Sequence, residues 1–191
     1  MRSYKALNKN EFQHNEFSIV PIRDKDKFDI MNWRNDQIFH LRQKEKLNKN
    51  SQEKYFKETV SNLFKINYPS QILFSFLKND VCVGYGGLVH INWKDKNAEI
   101  SFLMNTELEE SFFNQYWTTF LKLIENVAFD HLNFYKIFVY AFDLRKNLYV
   151  VLEQNNYEKE AELKGHHFHE HKFIDVLIYS KIIKSENRIT N

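Results

Sequence analysis

Glycine and proline are scarce in this chain, four and two of 191 residues, which leaves little from which to build low-complexity linkers or solenoid turns. The single cysteine, Cys82, excludes an internal disulfide and points to a reducing, cytoplasmic setting, with the thiol as a small core residue in an apolar run. No stretch reaches the ~18 consecutive apolar residues of a membrane span, and the polar opening MRSYKALNKNEF has no apolar signal core. No membrane partner is therefore expected. An excess of one charge is also missing, since 27 Lys and Arg face 25 Asp and Glu for a formal balance of +2. A protein that neutralises many phosphates along a nucleic acid carries a clear basic excess, so no nucleic-acid partner is expected either.

Aromatic and apolar residues are plentiful. They make up 16% and 43% of the chain, with 18 Phe and 10 Tyr, enough for a packed core. The length predicts one domain over residues 1–191, with a polar leader at 1–16 and a polar tail at 183–191.

The pattern along the chain alternates between strands and helices. FSIVPIR (17–23) reads as a first strand, and Phe28, Ile30, Met31 and Trp33 then recur at helical spacing. Asn50 followed by Glu53 resembles a capping box for a second helix running to about Phe64. QILFSFL, VCVGYGGLVHINW and AEISFLM read as three strands joined by hairpin turns. A long apolar stripe over residues 111–131 predicts the longest helix. KIFVYAF, a short helix from Leu144 to Glu153, and two closing strands, YEKEAELKGHHF and FIDVLIYSKI, complete the order β-α-α-β-β-β-α-β-α-β-β.

That order resembles the GNAT superfamily of N-acetyltransferases over about residues 17–182. MNWRND (31–36), AEISFLM (98–104), NNYEKEAELKGH and KFIDVLIYSKI resemble strings of the branch that holds ribosomal-protein N-terminal acetyltransferases and amino-sugar-nucleotide acetyltransferases. The resemblance implies an α/β (α+β) fold with a mixed, mostly antiparallel central sheet and helices on both faces. It implies transfer of an acetyl group from acetyl-CoA to a primary amine, preferably that of a nucleotide-linked amino sugar in surface-polysaccharide synthesis. A protein N-terminus is the alternative acceptor, and a homodimer is compatible with the resemblance.

Relatives of this kind hold the coenzyme A pyrophosphate on a glycine-rich turn at the start of the long helix. Here Phe113, Asn114, Gln115, Tyr116 and Trp117 occupy that stretch, with no glycine, Arg or Lys. Free amides at a helix start still attract an anion, so these five are the expected pyrophosphate contacts, and a GNAT-shaped binding protein without catalysis is the competing reading. The backbone of Phe102, Leu103 and Met104 offers an open strand edge for the pantetheine arm, and Asn147 is a further cofactor candidate. Asn156 replaces the glycine usual before the aromatic Tyr157, a change that asparagine tolerates.

Glu99 and Ser101 share one face of their strand, which places Glu99 as candidate base beside Ser101. His90 is the second candidate base. Tyr149 is the candidate thiolate acid, because the position the resemblance favours falls on Leu152. For the acceptor, Arg34 would pair with a phosphate, while Trp33 would stack on a ring or anchor the core. Arg23, Arg42 and Arg145 are positive charges without an assigned role. His166, His167, His169 and His171 invite a metal, yet no distant Cys or Asp cluster completes a site, so no metal is expected and a polar hairpin is the reading. Asp175 would position that hairpin or act in catalysis.

Overall fold

Eight strands form one sheet in the order β1-β2-β3-β4-β5-β6-β8-β7 in the computed structural model, which describes residues 2–183. Most of the predicted polar tail lies outside the described residues. Every neighbouring pair is antiparallel except β5 (Asn97–Met104) with β6 (Lys136–Phe142). This mixed, mostly antiparallel sheet carries helices on both faces, as the resemblance implies.

The predicted leader is part of the sheet. β1 (Phe12–His14) pairs with β2 (Phe17–Pro21), and Phe12, Leu7 and Tyr4 are buried. The Tyr4 hydroxyl donates to the Leu73 carbonyl at 2.8 Å and accepts from the Leu73 amide at 2.9 Å. Polar neighbours hide these three apolar positions from any periodicity, which is why they read as a leader.

Alternation sets the two faces of the central strands β3 (Ile72–Lys78), β4 (Val81–Asn92) and β5. Phe74, Phe76, Gly86 and Phe102 face α4 (Glu109–Glu125), where Phe102 stacks on Phe120 at 4.1 Å. Leu73, Tyr85, Glu99 and Ser101 face α1 (Lys27–Asp36) and α2 (Lys49–Tyr55). A wider turn, Phe56–Val60, joins α2 to α3 (Ser61–Leu63). The start of α2 differs from the expected Asn50 and Glu53 box. Asn48 and Ser51 cap it reciprocally, at 2.9 and 3.1 Å, because the chain enters the helix two residues earlier.

Buried Asp26 fixes the entry of α1. It accepts from both Nε and Nη2 of Arg23, at 2.6 and 2.9 Å, and from the Ser75 hydroxyl at 2.6 Å, so the helix is tied to β3. After β6, α5 (Lys146–Gln154) ends on Asn156, which takes the left-handed conformation at φ 62. The tolerance expected of asparagine is thus used. The closing hairpin of β7 (Glu158–His169) and β8 (Lys172–Ile182) turns on Glu170 and His171, both at positive φ. Asp175 accepts from the Gly165 amide at 2.8 Å and pairs with Lys164 at 2.9 Å, positioning the hairpin. His167 lies flat on Phe142, with ring centroids 3.8 Å apart, which draws it into a small second core. Among the described residues no three His, Cys, Asp or Glu side chains are grouped to hold a metal ion. Among them, too, no helix is long and apolar enough to cross a membrane.

Gly86 lets the Phe120 ring press on the sheet. A Cβ there would lie 2.8 Å from the ring and closer still to the Ser101 carbonyl oxygen. Gly86→Ala should lower stability by about 1–3 kcal/mol through overpacking, read as a lower urea midpoint at unchanged slope.

Candidate active site

The parallel pairing of β5 with β6 runs from Asn97 against Lys136 to Glu99 against Phe138 and then stops. Beyond Glu99 the strands diverge, and a cleft of about 180 Å³ opens between them. Ile100, Ser101 and Phe102 line it from β5, and Val139, Tyr140 and Ala141 from β6. The β5 edge facing β6 is thereby freed from sheet pairing along residues 100–103. At its far end the Met104 carbonyl accepts from Gln37 at 2.9 Å, so that contact is already made. Leu103 and Met104 are core residues, and only their backbone belongs to the edge.

Glu99 sits at the closed end of the cleft and is 5% exposed. Its Oε1 accepts from Arg42, which also lies over the Tyr140 ring at 4.8 Å. Its Oε2 is 2.8 Å from Nδ1 of His90. The two candidate bases are thus one hydrogen-bonded pair. Local backbone geometry makes the pair. β4 carries one extra residue between Val89 and Asn92 relative to β5, a bulge in which His90 takes φ 48 and turns toward Glu99. A non-glycine residue held at positive φ beside a buried carboxylate is the kind of outlier that marks functional sites. With Nδ1 donating to Glu99, Nε2 of the exposed imidazole is the acceptor nitrogen.

At the other end Arg145 spans the mouth. It pairs with Glu109, lies 4.8 Å over the Phe113 ring, and donates from Nη1 to His40 Nε2 at 3.0 Å. Burial pushes the Glu109 carboxyl above its ordinary value and the Arg145 guanidinium below its own, each against the pull of the other. Burial, and then Arg145, push His40 down to about 3, so its imidazole is neutral. Arg34, Arg42 and Arg145 line the cleft, against one lining carboxylate, Glu99.

The stretch expected at the pyrophosphate does not begin a helix: α4 starts at Glu109, so the amides of residues 113–117 are bonded within it and are not free to hold an anion, and their side chains divide. Phe113 lies beneath Arg145 and Trp117 lines the floor of the cleft, edge-on to Phe102 at 5.0 Å. Tyr116 is buried against Phe17 and Phe76, while Asn114 and Gln115 face a groove beside His14 and Glu16, away from the cleft. Tyr149 donates to the Phe142 carbonyl at 3.1 Å and stacks on Tyr179, outside the lining, and burial followed by Asp143 raises its pKa. The tyrosine that does line the cleft is Tyr140. Asn147 is exposed, also outside the lining, and buried Trp33 anchors α1 and borders an outer groove with Asp29 and Asn105. Arg42, Arg145, His40 and Tyr140 had no sequence signal beyond unassigned charge, because no local spacing ties them to β5.

A second cavity, of about 280 Å³, lies between the sheet and α1 and α2. Ile30, Leu47, Tyr55, Phe56, Leu73 and Tyr85 form much of its wall. Ser101 and Arg34 line both cavities, so the two meet beside Glu99. Arg34 is held there by donating to the Tyr85 hydroxyl at 2.5 Å and to Gln43 at 2.8 Å.

A family model described as the acetyltransferase (GNAT) domain matches residues 19–178. Among solved structures, the spermidine N-acetyltransferase from Vibrio cholerae in complex with CoA and spermine superposes with a TM-score of 0.77 at 15% identity, over 88% of this chain and 96% of that one. A dodecameric structure of spermidine N-acetyltransferase from Vibrio cholerae in an intermediate state gives 0.74 at 16% identity, over 93% and 100%. At such identity the likeness carries the fold.

The neutral His40 gives a pH signature. Its folded value of about 3 lies below the ordinary 6.5, so between these values the unfolded chain binds the extra proton and stability is lost as the pH is lowered. Relative to His40→Asn, the wild type should lose up to ~1.4 kcal/mol per pH unit below about pH 6.5 in urea titrations. A difference that stays flat from about pH 7 to about pH 5 would contradict a neutral, buried imidazole.

Proposed function

This chain belongs to the GNAT acetyltransferase family and is an acetyl-CoA-dependent N-acyltransferase, and from that premise we propose that it acetylates a small-molecule primary amine delivered to Glu99 and Ser101 from the α1 and α2 side. The observation that carries this reading is the junction. One cavity opens between β5 and β6, the other beneath the helices, and both reach Ser101 next to a buried carboxylate.

The residues of the cleft fit the co-substrate. The freed β5 edge suits an extended pantetheine arm, which pairs with strand amides and carbonyls as an added strand does. Arg145, lying over the first turns of α4, supplies the positive charge that the missing glycine-rich turn does not, and the nearby helix amides add to it. Glu109 is the group an incoming phosphate would displace.

When bound, acetyl-CoA supplies an acetyl thioester whose C–S bond is exchanged for a C–N bond to the amine, with CoA thiol released. His90, which lies outside both cavity linings, takes the ammonium proton at Nε2 through water, while Glu99 holds the ring through Nδ1 and stabilises the imidazolium. Arg42 keeps the Glu99 carboxylate oriented from its other oxygen. The Ser101 hydroxyl orients the reacting groups at the junction. Tyr140, the tyrosine among the cleft's lining residues, is our choice of group to return a proton to the departing sulfur.

For the acceptor, the sequence strings favour an amino-sugar nucleotide, with a peptide N-terminus as the alternative, and the superposing structures are polyamine acetyltransferases. The chain works as one domain in the cytoplasm, a setting supported by its lone cysteine, and a homodimer is an assembly the family reading allows.

Thiol release from acetyl-CoA, followed across a panel of primary amines, tests the reading. Glu99→Gln and His90→Gln should each lower kcat by roughly 10²–10⁴-fold with little change in acetyl-CoA affinity. Unchanged turnover in both variants would remove the pair from the chemistry, and absence of thiol release with every amine would remove the enzyme reading.

A further inference from the structure

We infer that the cavity beneath α1 and α2 selects a monoamine with an apolar, ring-sized body, an arylalkylamine in chemical class, rather than a polyamine or a nucleotide-linked sugar. This deepens the acceptor reading above and rests on it for the direction in which the amine points.

Charge comes first. No Asp or Glu lies among the residues lining this cavity, and the one formal charge in its wall is Arg34, of the same sign as an ammonium. A polyamine brings further ammonium groups along its length. Each would enter a wall of Ile30, Leu47, Phe56 and Leu73 without a counter-charge, and desolvating an unpaired cation is strongly unfavourable. A monoamine brings one ammonium only, and that one has the Glu99 carboxylate to offset Arg34. Its single ammonium reaches the junction at Ser101, next to the Glu99 carboxylate, and its body stays in the apolar part.

Polar capacity comes second, and most of it is already engaged. Gln52 donates to the Lys27 carbonyl at 2.8 Å, and Arg34 gives Nε to Gln43 and Nη1 to Tyr85. A sugar nucleotide presents a diphosphate and many hydroxyls, which one partly engaged guanidinium does not satisfy. Size agrees with this. At about 280 Å³ the cavity lies at the small end of ligand pockets, whose usual range is about 300–1,000 Å³. The rings of Tyr55, Phe56 and Tyr85 offer faces and edges to an aromatic body.

The test is equilibrium binding by isothermal titration, so that it reads the cavity whether or not turnover follows. The probes are 2-phenylethylamine, spermidine, an amino-sugar nucleotide and a short peptide with a free N-terminus, each titrated into the full chain without acetyl-CoA. 2-Phenylethylamine should bind at least about tenfold more tightly than any of the others. Leu47→Glu, which puts a carboxylate into the apolar wall, should weaken 2-phenylethylamine and strengthen spermidine while acetyl-CoA affinity stays as in the wild type. Tighter binding of spermidine, the nucleotide or the peptide to the wild type overturns the inference, as does no binding of 2-phenylethylamine at millimolar concentration. Selective 2-phenylethylamine binding without acetyl transfer would uphold the selectivity and overturn the catalytic reading instead.

Discussion

The parting of β5 from β6 after Glu99 is the constraint on which the rest of the structure depends. Parallel strands hold together only while their slanted hydrogen bonds continue, and here they continue for three residue pairs. Past that point an unpaired strand edge, normally a liability, faces a cleft that one extended ligand can fill. The same divergence brings the outer ends of α4 and α5 to the cleft mouth, with Phe113 and Arg145 on it. It also exposes Ser101 to both faces of the sheet. The β4 bulge then turns His90 onto Glu99 at the one place where the pairing is about to end.

Electrostatics follows from that geometry. Three guanidiniums reach the cleft while Glu99 and Glu109 oppose two of them. The Glu99 pair is completed by His90 and Arg42 and is suited to moving a proton. The Glu109 pair, in which burial disfavours both charged forms, is suited to exchanging one anion for another. On the proposed reading, Glu99 belongs to the chemistry and Glu109 to the cleft mouth. On the same reading, Arg145, at the N-cap of α5, stands in for the glycine-rich turn that the long helix lacks.

Element order was largely legible because amphipathic periods are local. The three central strands, the long helix and the closing hairpin all follow from alternation and stripe. β1 escaped because Tyr4, Leu7 and Phe12 have no common period, and the α2 cap was misplaced by two residues because Asn48 and Asn50 are equivalent in composition but not in backbone. For the cleft, the shared face of Glu99 and Ser101 was legible from strand parity and Arg34 was singled out by its family string, while the contact of His90 with Glu99 depends on the β4 bulge, which parity does not show. Arg42, Arg145, His40 and Tyr140 were not legible, because contacts between residues 34 and 145 depend on how β5 and β6 separate, which no spacing encodes. Tyr149 illustrates the converse. It stands almost one turn before the position the family favours, and that turn carries its hydroxyl to the back of β6, onto the Phe142 carbonyl.

The cleft is what every assignment presupposes, and filling it is the most direct trial. Ala141 lines the β6 side and takes no part in the chemistry. Isothermal titration of acetyl-CoA into the wild type should give saturable, one-to-one binding. Ala141→Trp, verified as folded by its urea transition, should weaken that binding by about a hundredfold or more, as expected when a bulky ring occupies a ligand's seat. Equal affinity in the two proteins, or no binding to the wild type at millimolar concentration, would contradict a co-substrate held between β5 and β6.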